Sequence, residues 1–122
     1  MKLSILAVIT AIAAFGTATA AAACIYPRPP ETVPDGRTAT YDEMAAGQSA
    51  VKAFDADVTA YNACLQMELE ALLADPGIDE TRRSEIAAMY VKKNNAAVDE
   101  VQAVADRFNE ELRAYNKRGK SD

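Results

Sequence analysis

The chain contains no histidine and no tryptophan, and only two cysteines. Without histidine it lacks the commonest general base near neutral pH and the commonest metal ligand. Ser49, Ser84 and Ser121 have no imidazole to activate them, and no Gly-x-Ser-x-Gly elbow is present. There is also no glycine-rich phosphate loop and no Asp-x-Asp-x-Asp-Gly calcium loop. Basic residues are in deficit, 13 against 18 acidic, for a net charge of −5. That balance argues against nucleic acid, which needs a basic stripe, and against adsorption to anionic lipid. No segment alternates as a half-buried strand would.

What is present begins with an export signal. Met1 and Lys2 give a positive start, and Leu3 to Phe15 is an uncharged, mainly apolar run of roughly 13 residues, the length of a signal-peptide core. A membrane-spanning helix needs roughly 20. Gly16 breaks the run, and Ala18-Thr19-Ala20 supplies small residues for a signal peptidase. We expect cleavage after Ala20, with sites up to Ala23 open, leaving residues 1–20 as a signal peptide and no stable membrane insertion afterwards. A competing expectation is lipoprotein processing at Ala21-Ala22-Ala23-Cys24, which would anchor the chain through Cys24. The mature chain has roughly 100 residues, enough for one small domain. Losing Lys2 takes its net charge to about −6.

Cys24 and Cys64 are expected to form a disulfide, because an even cysteine count in an exported protein reads as a bridge. There is no Cys-x-x-Cys spacing to suggest redox catalysis.

Residues 21–39 hold four of the five prolines, so they are expected to form an extended strap rather than a helix. Val33-Pro34-Asp35-Gly36 reads as a turn in which Gly36 accepts a positive φ. Residues 40–120 read as a helical hairpin, with helices at about 40–74 and 79–117. Thr40-Tyr41-Asp42-Glu43 fits a capping box. Met44, Val51, Phe54, Val58, Tyr61, Leu65, Leu69 and Leu72 recur at steps of mostly three and four. Asp75-Pro76-Gly77 stops this helix, and Asp79 is an N-cap for the next. Its stripe comprises Ile86, Tyr90, Ala97, Val101, Val104, Phe108, Leu112 and Tyr115, with Gly119 as C-cap.

The fold class is therefore all-α: an antiparallel two-helix hairpin with a proline-rich strap held by the disulfide. A turn centred on Pro76 predicts facing pairs Met44–Phe108, Val51–Val101, Phe54–Val98 and Leu65–Ala87, with Gly47 against Ala105. It also predicts Asp42 and Glu43 near Arg113 and Lys117, and Glu68 and Glu70 near Arg82 and Arg83. The strap can reach back along the hairpin to Cys64, with Tyr26 packing on helix tyrosines.

Chemical constellations are sparse. Asp55/Asp57 and Glu68/Glu70 are spaced i, i+2, so each pair diverges on a helix. Met44, Met67 and Met89 are too dispersed for a soft-metal cluster. Asn94-Asn95, expected opposite Val58, reads as a register-fixing or solvent-facing pair. From Tyr41 to Asp75 there are seven acidic residues and only Lys52 as a base. This acidic face serves solubility or a cationic partner.

The set Cys24-x-Tyr26-Pro27, Val33-Pro34-Asp35-Gly36, Thr40 with Glu43-Met44, Val51-Lys52-x-Phe54 and Tyr61-x-x-Cys64-Leu65 resembles short, uncharacterised exported helical proteins of proteobacteria. The resemblance covers roughly Cys24 to Leu72. It implies a periplasmic or secreted location and adds no activity. The expectation is a non-enzymatic protein with no cofactor and no metal, an interaction or envelope-support module using its hairpin surface. Its partner is unidentified, and self-association into a homodimeric four-helix bundle through the alanine-rich outer faces is part of the reading. A holdase-like periplasmic chaperone is the alternative.

Overall fold

A computed structural model describes residues 23–119. The expected leader, residues 1–20, lies outside the described residues. Two helices follow an irregular N-terminal segment: α1, Tyr41–Leu73, and α2, Glu80–Gly119. No strand occurs among the described residues. The fold is the expected all-α hairpin.

Helix α1 begins where its local chemistry dictates. The Glu43 amide donates to Thr40 Oγ1 at 3.2 Å, and the Thr40 amide donates back to the Glu43 carboxylate at 2.7 Å. Asp42 and Glu43 sit at the positive end of the helix dipole. At the other end no basic residue lies in the last turn of α1. Arg83 compensates from α2: its guanidinium donates to the carbonyls of Leu73 and Asp75, at 2.5 and 3.0 Å. The connection turns on Asp75, whose side chain accepts from the Gly77 amide at 2.8 Å. Asp79 caps α2 by accepting from the Arg82 amide at 2.8 Å. Gly119 is the last residue of α2 rather than a cap beyond it.

The core lies between the helices. Phe54, Val58, Tyr61 and Leu65 of α1 meet Ile86, Tyr90, Ala97 and Val104 of α2, with Phe54 at 2% and Ala97 at 0% exposure. A second core group joins Met44, Phe108 and Ala39, with Val33, Leu112 and Tyr115 against it. The expected α1 stripe holds except at Leu72, which is exposed, while Leu73 and Ile78 pack inward.

Met44 and Phe108 share a core group as expected, but the register differs from the expected pairing elsewhere. Val98 is 49% exposed, so it is not the partner of buried Phe54. Instead Asn62 shares a hollow with Asn94, and Leu65 shares it with Tyr90 and Val91. The Phe108 ring reaches the level of Gly47, where Ala105 was expected. Side-chain direction is one cause. Every helical side chain leans toward its own N-terminus, which points away from the turn on α1 and toward it on α2, so each covers a spot about one residue behind its own Cα. The rest of the shift comes from a turn that runs from Leu73 to Glu80 and is centred just past Pro76.

Candidate interaction surface

Cys24 and Cys64 are bonded, with Cα atoms 5.7 Å apart across 40 residues of chain. This anchors the N-terminal segment beside Tyr61, and three carboxylates hold the rest of it. The Cys24 amide donates to Glu68 at 3.1 Å. The Tyr26 hydroxyl donates to Glu100 of α2. The Gly36 amide donates to Glu111 at 2.7 Å. Arg118 closes the far end by donating to the Ala39 carbonyl at 2.6 Å. The segment therefore bridges both helices.

Packing follows the same path. The Tyr26 ring meets the Tyr61 ring edge-on, with centroids 5.2 Å apart. The ring of Pro34 lies over Gly47, where a Cβ would stand 2.7 Å from Pro34 Cγ. So Gly47 admits the segment first, with the Phe108 ring of α2 next at 3.1 Å. Gly36 has no positive φ, contrary to the turn reading. It is glycine because a Cβ there would collide with the Glu111 carbonyl of α2. The turn itself is formed by Asp35, whose carbonyl accepts from the Thr38 and Ala39 amides at 3.1 and 2.8 Å.

Electrostatics record the contacts. The Tyr26 hydroxyl is pushed up to about 12, first by its hydrogen bond to Glu100 and then by burial. Tyr90 is raised by burial and by donating to Glu68 at 3.1 Å. Glu43 is lowered by the Thr40 amide and hydroxyl, and Asp35 by the Arg37 amide and side chain.

The expected pairing of Glu68 and Glu70 with Arg82 and Arg83 is replaced by other contacts. Arg82 pairs with Glu85 on its own helix at 3.2 Å. Arg83 caps α1. Glu68 takes Cys24 and Tyr90, Glu70 accepts from Gln66, and Glu43 serves its cap. Long exposed side chains gain little from pairing with each other, whereas carbonyls and amides offer fixed targets.

Among the described residues, the opposite face of the hairpin has no such cover. Val91 and Val98 are 58% and 49% exposed there. Between Asn62 and Asn94 lies a hollow of about 120 Å³. Asn62 Oδ1 is shut off from water and has no hydrogen-bond partner. Asp55 stands exposed on α1, while Asp57 borders an open hollow with Cys24 and Ile25, so the pair diverges. Met44 is buried, and Met67 and Met89 are exposed at separate places. Ser49 donates to the Ala45 carbonyl at 3.1 Å. Among the described residues no three carboxylates or thiolates converge as metal ligands, and no helix is long and apolar enough to cross a membrane.

Sequence reasoning missed Glu100, and missed the roles of Glu68 and Glu111. For the last two the signal was available: each occupies a seam row one heptad past an apolar member, Glu68 after Tyr61 and Glu111 after Val104. A carboxylate where an apolar residue belongs marks a place that receives polar groups from elsewhere. In comparisons with protein-family models, curated proteins and solved structures, the chain matches none of them.

Proposed function

We propose that this is a periplasmic or secreted, non-enzymatic interaction or envelope-support module, working through the surface of its helical hairpin. The observation that carries this reading is the contrast between the faces. One is closed by a segment anchored at Cys64, Glu68, Glu100 and Glu111. The other keeps two valines in water beside a half-buried amide pair. Exposed apolar side chains grouped on one face are what a partner covers. An extracytoplasmic setting accords with a disulfide. The bond also supports the unlipidated form, because Cys24 Sγ cannot carry both a thioether-linked lipid and Cys64.

The test is in-cell photocrosslinking. The chain, expressed with its own leader, carries a photoreactive residue at Val98 or, as control, at exposed Lys92. Adducts are expected at 98 and not at 92. Equal labelling at both, or none at either, would reject the module.

Exposure of Ile25, Met67 and Met89 as well favours a second reading, the holdase. It requires that the purified protein suppress aggregation of an unfolded client at near-stoichiometric ratio. Unchanged light scattering would dismiss it.

A further inference from the structure

We propose that the open face pairs with the same face of a second copy, around a two-fold axis running along the hairpin, so that α1 of each copy lies over α2 of the other. This rests on the interaction-module reading and names the partner.

The amide pair favours this arrangement. Asn62 and Asn94 face each other across the groove at one level, flanked along α2 by exposed Val91 and Val98. Both asparagines are half-buried, so part of each residue is open to a second copy. An amide set among valines favours an arrangement that presents another amide at the same height. An axis along the hairpin preserves height and brings Asn62 of one copy over Asn94 of the other. An axis across the hairpin inverts height and sets Asn94 against apolar levels nearer the far end of α2.

The overall charge of the helices favours the same arrangement, although Glu43, Asp57 and Glu68 lie on the covered side. From Tyr41 to Asp75 there are seven acidic residues and one basic, whereas Glu80 to Gly119 has seven acidic and eight basic. The lengthwise axis lays the acidic helix over the balanced one. The crosswise axis stacks acidic on acidic. The facing rows themselves are nearly free of charge. At seven-residue steps from Tyr41 to Leu69, and from Ser84 to Leu112, Asp55 is the only ionisable carboxylate or base. Depletion of charge is the compositional mark of an interface centre.

The area suffices. A helix of 33 residues is about 50 Å long, and two side by side offer a face of roughly 1,000 Å² per copy. Stable pairs bury about 800 Å² on each partner. A contact between copies related in this way is isologous and closes at two.

The experiment uses the exported, oxidised full chain. Sedimentation from about 1 to 100 µM, a range in which a dimer of micromolar affinity dissociates, is expected to show a monomer–dimer equilibrium. Val98→Glu should weaken it at least tenfold with helix content unchanged, and Val91→Lys should do the same. A photoreactive residue at Val98 should label α1 of the partner chain, as mapped by isotope-mixed mass spectrometry. Wild-type monomer throughout, dimers indifferent to both substitutions, or labelling confined to the partner's α2 would each overturn the proposal. A monomer that still labels a different protein at Val98 in cells overturns self-pairing alone. A monomer with no such label removes the module reading too.

Discussion

The two faces of one hairpin differ in how they satisfy polar groups. On the covered face, Glu68, Glu100 and Glu111 each receive a donor from the N-terminal segment, and every contact joins residues far apart in sequence. On the open face, Asn62 Oδ1 has no partner and the valines meet water. The helices are the same; what differs is a third layer. A two-helix hairpin buries only one stripe of each helix, so a chain this small needs further cover on its flanks. The covered face obtains it from its own chain through a covalent tie, and among the described residues the open face has no equivalent.

The largest way to break the contrast is to remove the tie. Cys24→Ser with Cys64→Ser should lower stability by roughly 3–4 kcal/mol, the loop-closure value for a bridge spanning 40 residues. The matched open-face change, Val98→Ser, should stay within about 0.5 kcal/mol in the monomer. Thermal melting of the two variants compares them directly. Equal effects would mean that the segment contributes no more than the bare face.

Next is Gly36→Ala. Its Cβ collides with the Glu111 backbone, so about 2–3 kcal/mol should be lost, as in an overpacked core. Gly119→Ala, with nothing within 4 Å, should be neutral or slightly stabilising. Chemical denaturation of both would show whether Gly36 is needed for close approach.

How much of this was legible follows the range of each interaction. The Thr40 cap, the Asp75 turn and the α1 stripe act within a few residues, and all three were readable. The cysteine pairing was readable by count. The register beyond Met44 and Phe108 was not, because it depends on the lean of side chains on two opposed helices and on where the turn is centred. Glu111 was not, because its partner, the Gly36 amide, lies 75 residues away. Gly36 shows the same limit. Its local setting suggests a left-handed turn, but its reason for being glycine is a distant backbone.

Gly47→Ala sharpens the comparison by changing sign. Within a bare helix, alanine is worth about 1 kcal/mol over glycine. With Pro34 seated, the added methyl meets the proline ring and the gain should be cancelled or reversed. In the Cys24→Ser, Cys64→Ser background part of that gain should return, the Phe108 ring still standing 3.1 Å from the methyl. If the change stabilises both forms equally, Pro34 does not press on α1.

The smallest effect is at Tyr26. Its folded value lies above the ordinary 10.0, at about 12. The hydrogen bond to Glu100 is therefore intact below pH 10 and is lost as pH rises toward 12. Tyr26→Phe should cost about 0.5 kcal/mol at pH 8, discounted for solvent exposure. The difference from wild type should shrink as pH climbs above 10. A gap that stays constant to pH 12 would assign the effect to ring packing on Tyr61.

The two arginine clamps bear on where the hairpin opens first. Arg118 holds the carbonyl just before the Thr40 cap, and Arg83 holds the last carbonyls of α1. Helix ends usually exchange their amide hydrogens by fraying, at almost no free-energy cost. With both termini gripped from the neighbouring helix, α1 cannot fray independently. Its terminal amides should exchange only when α2 lifts away, at rates close to those of its centre. The slow-exchanging region of the protein should therefore run nearly the full length of α1, unlike the usual profile that peaks mid-helix.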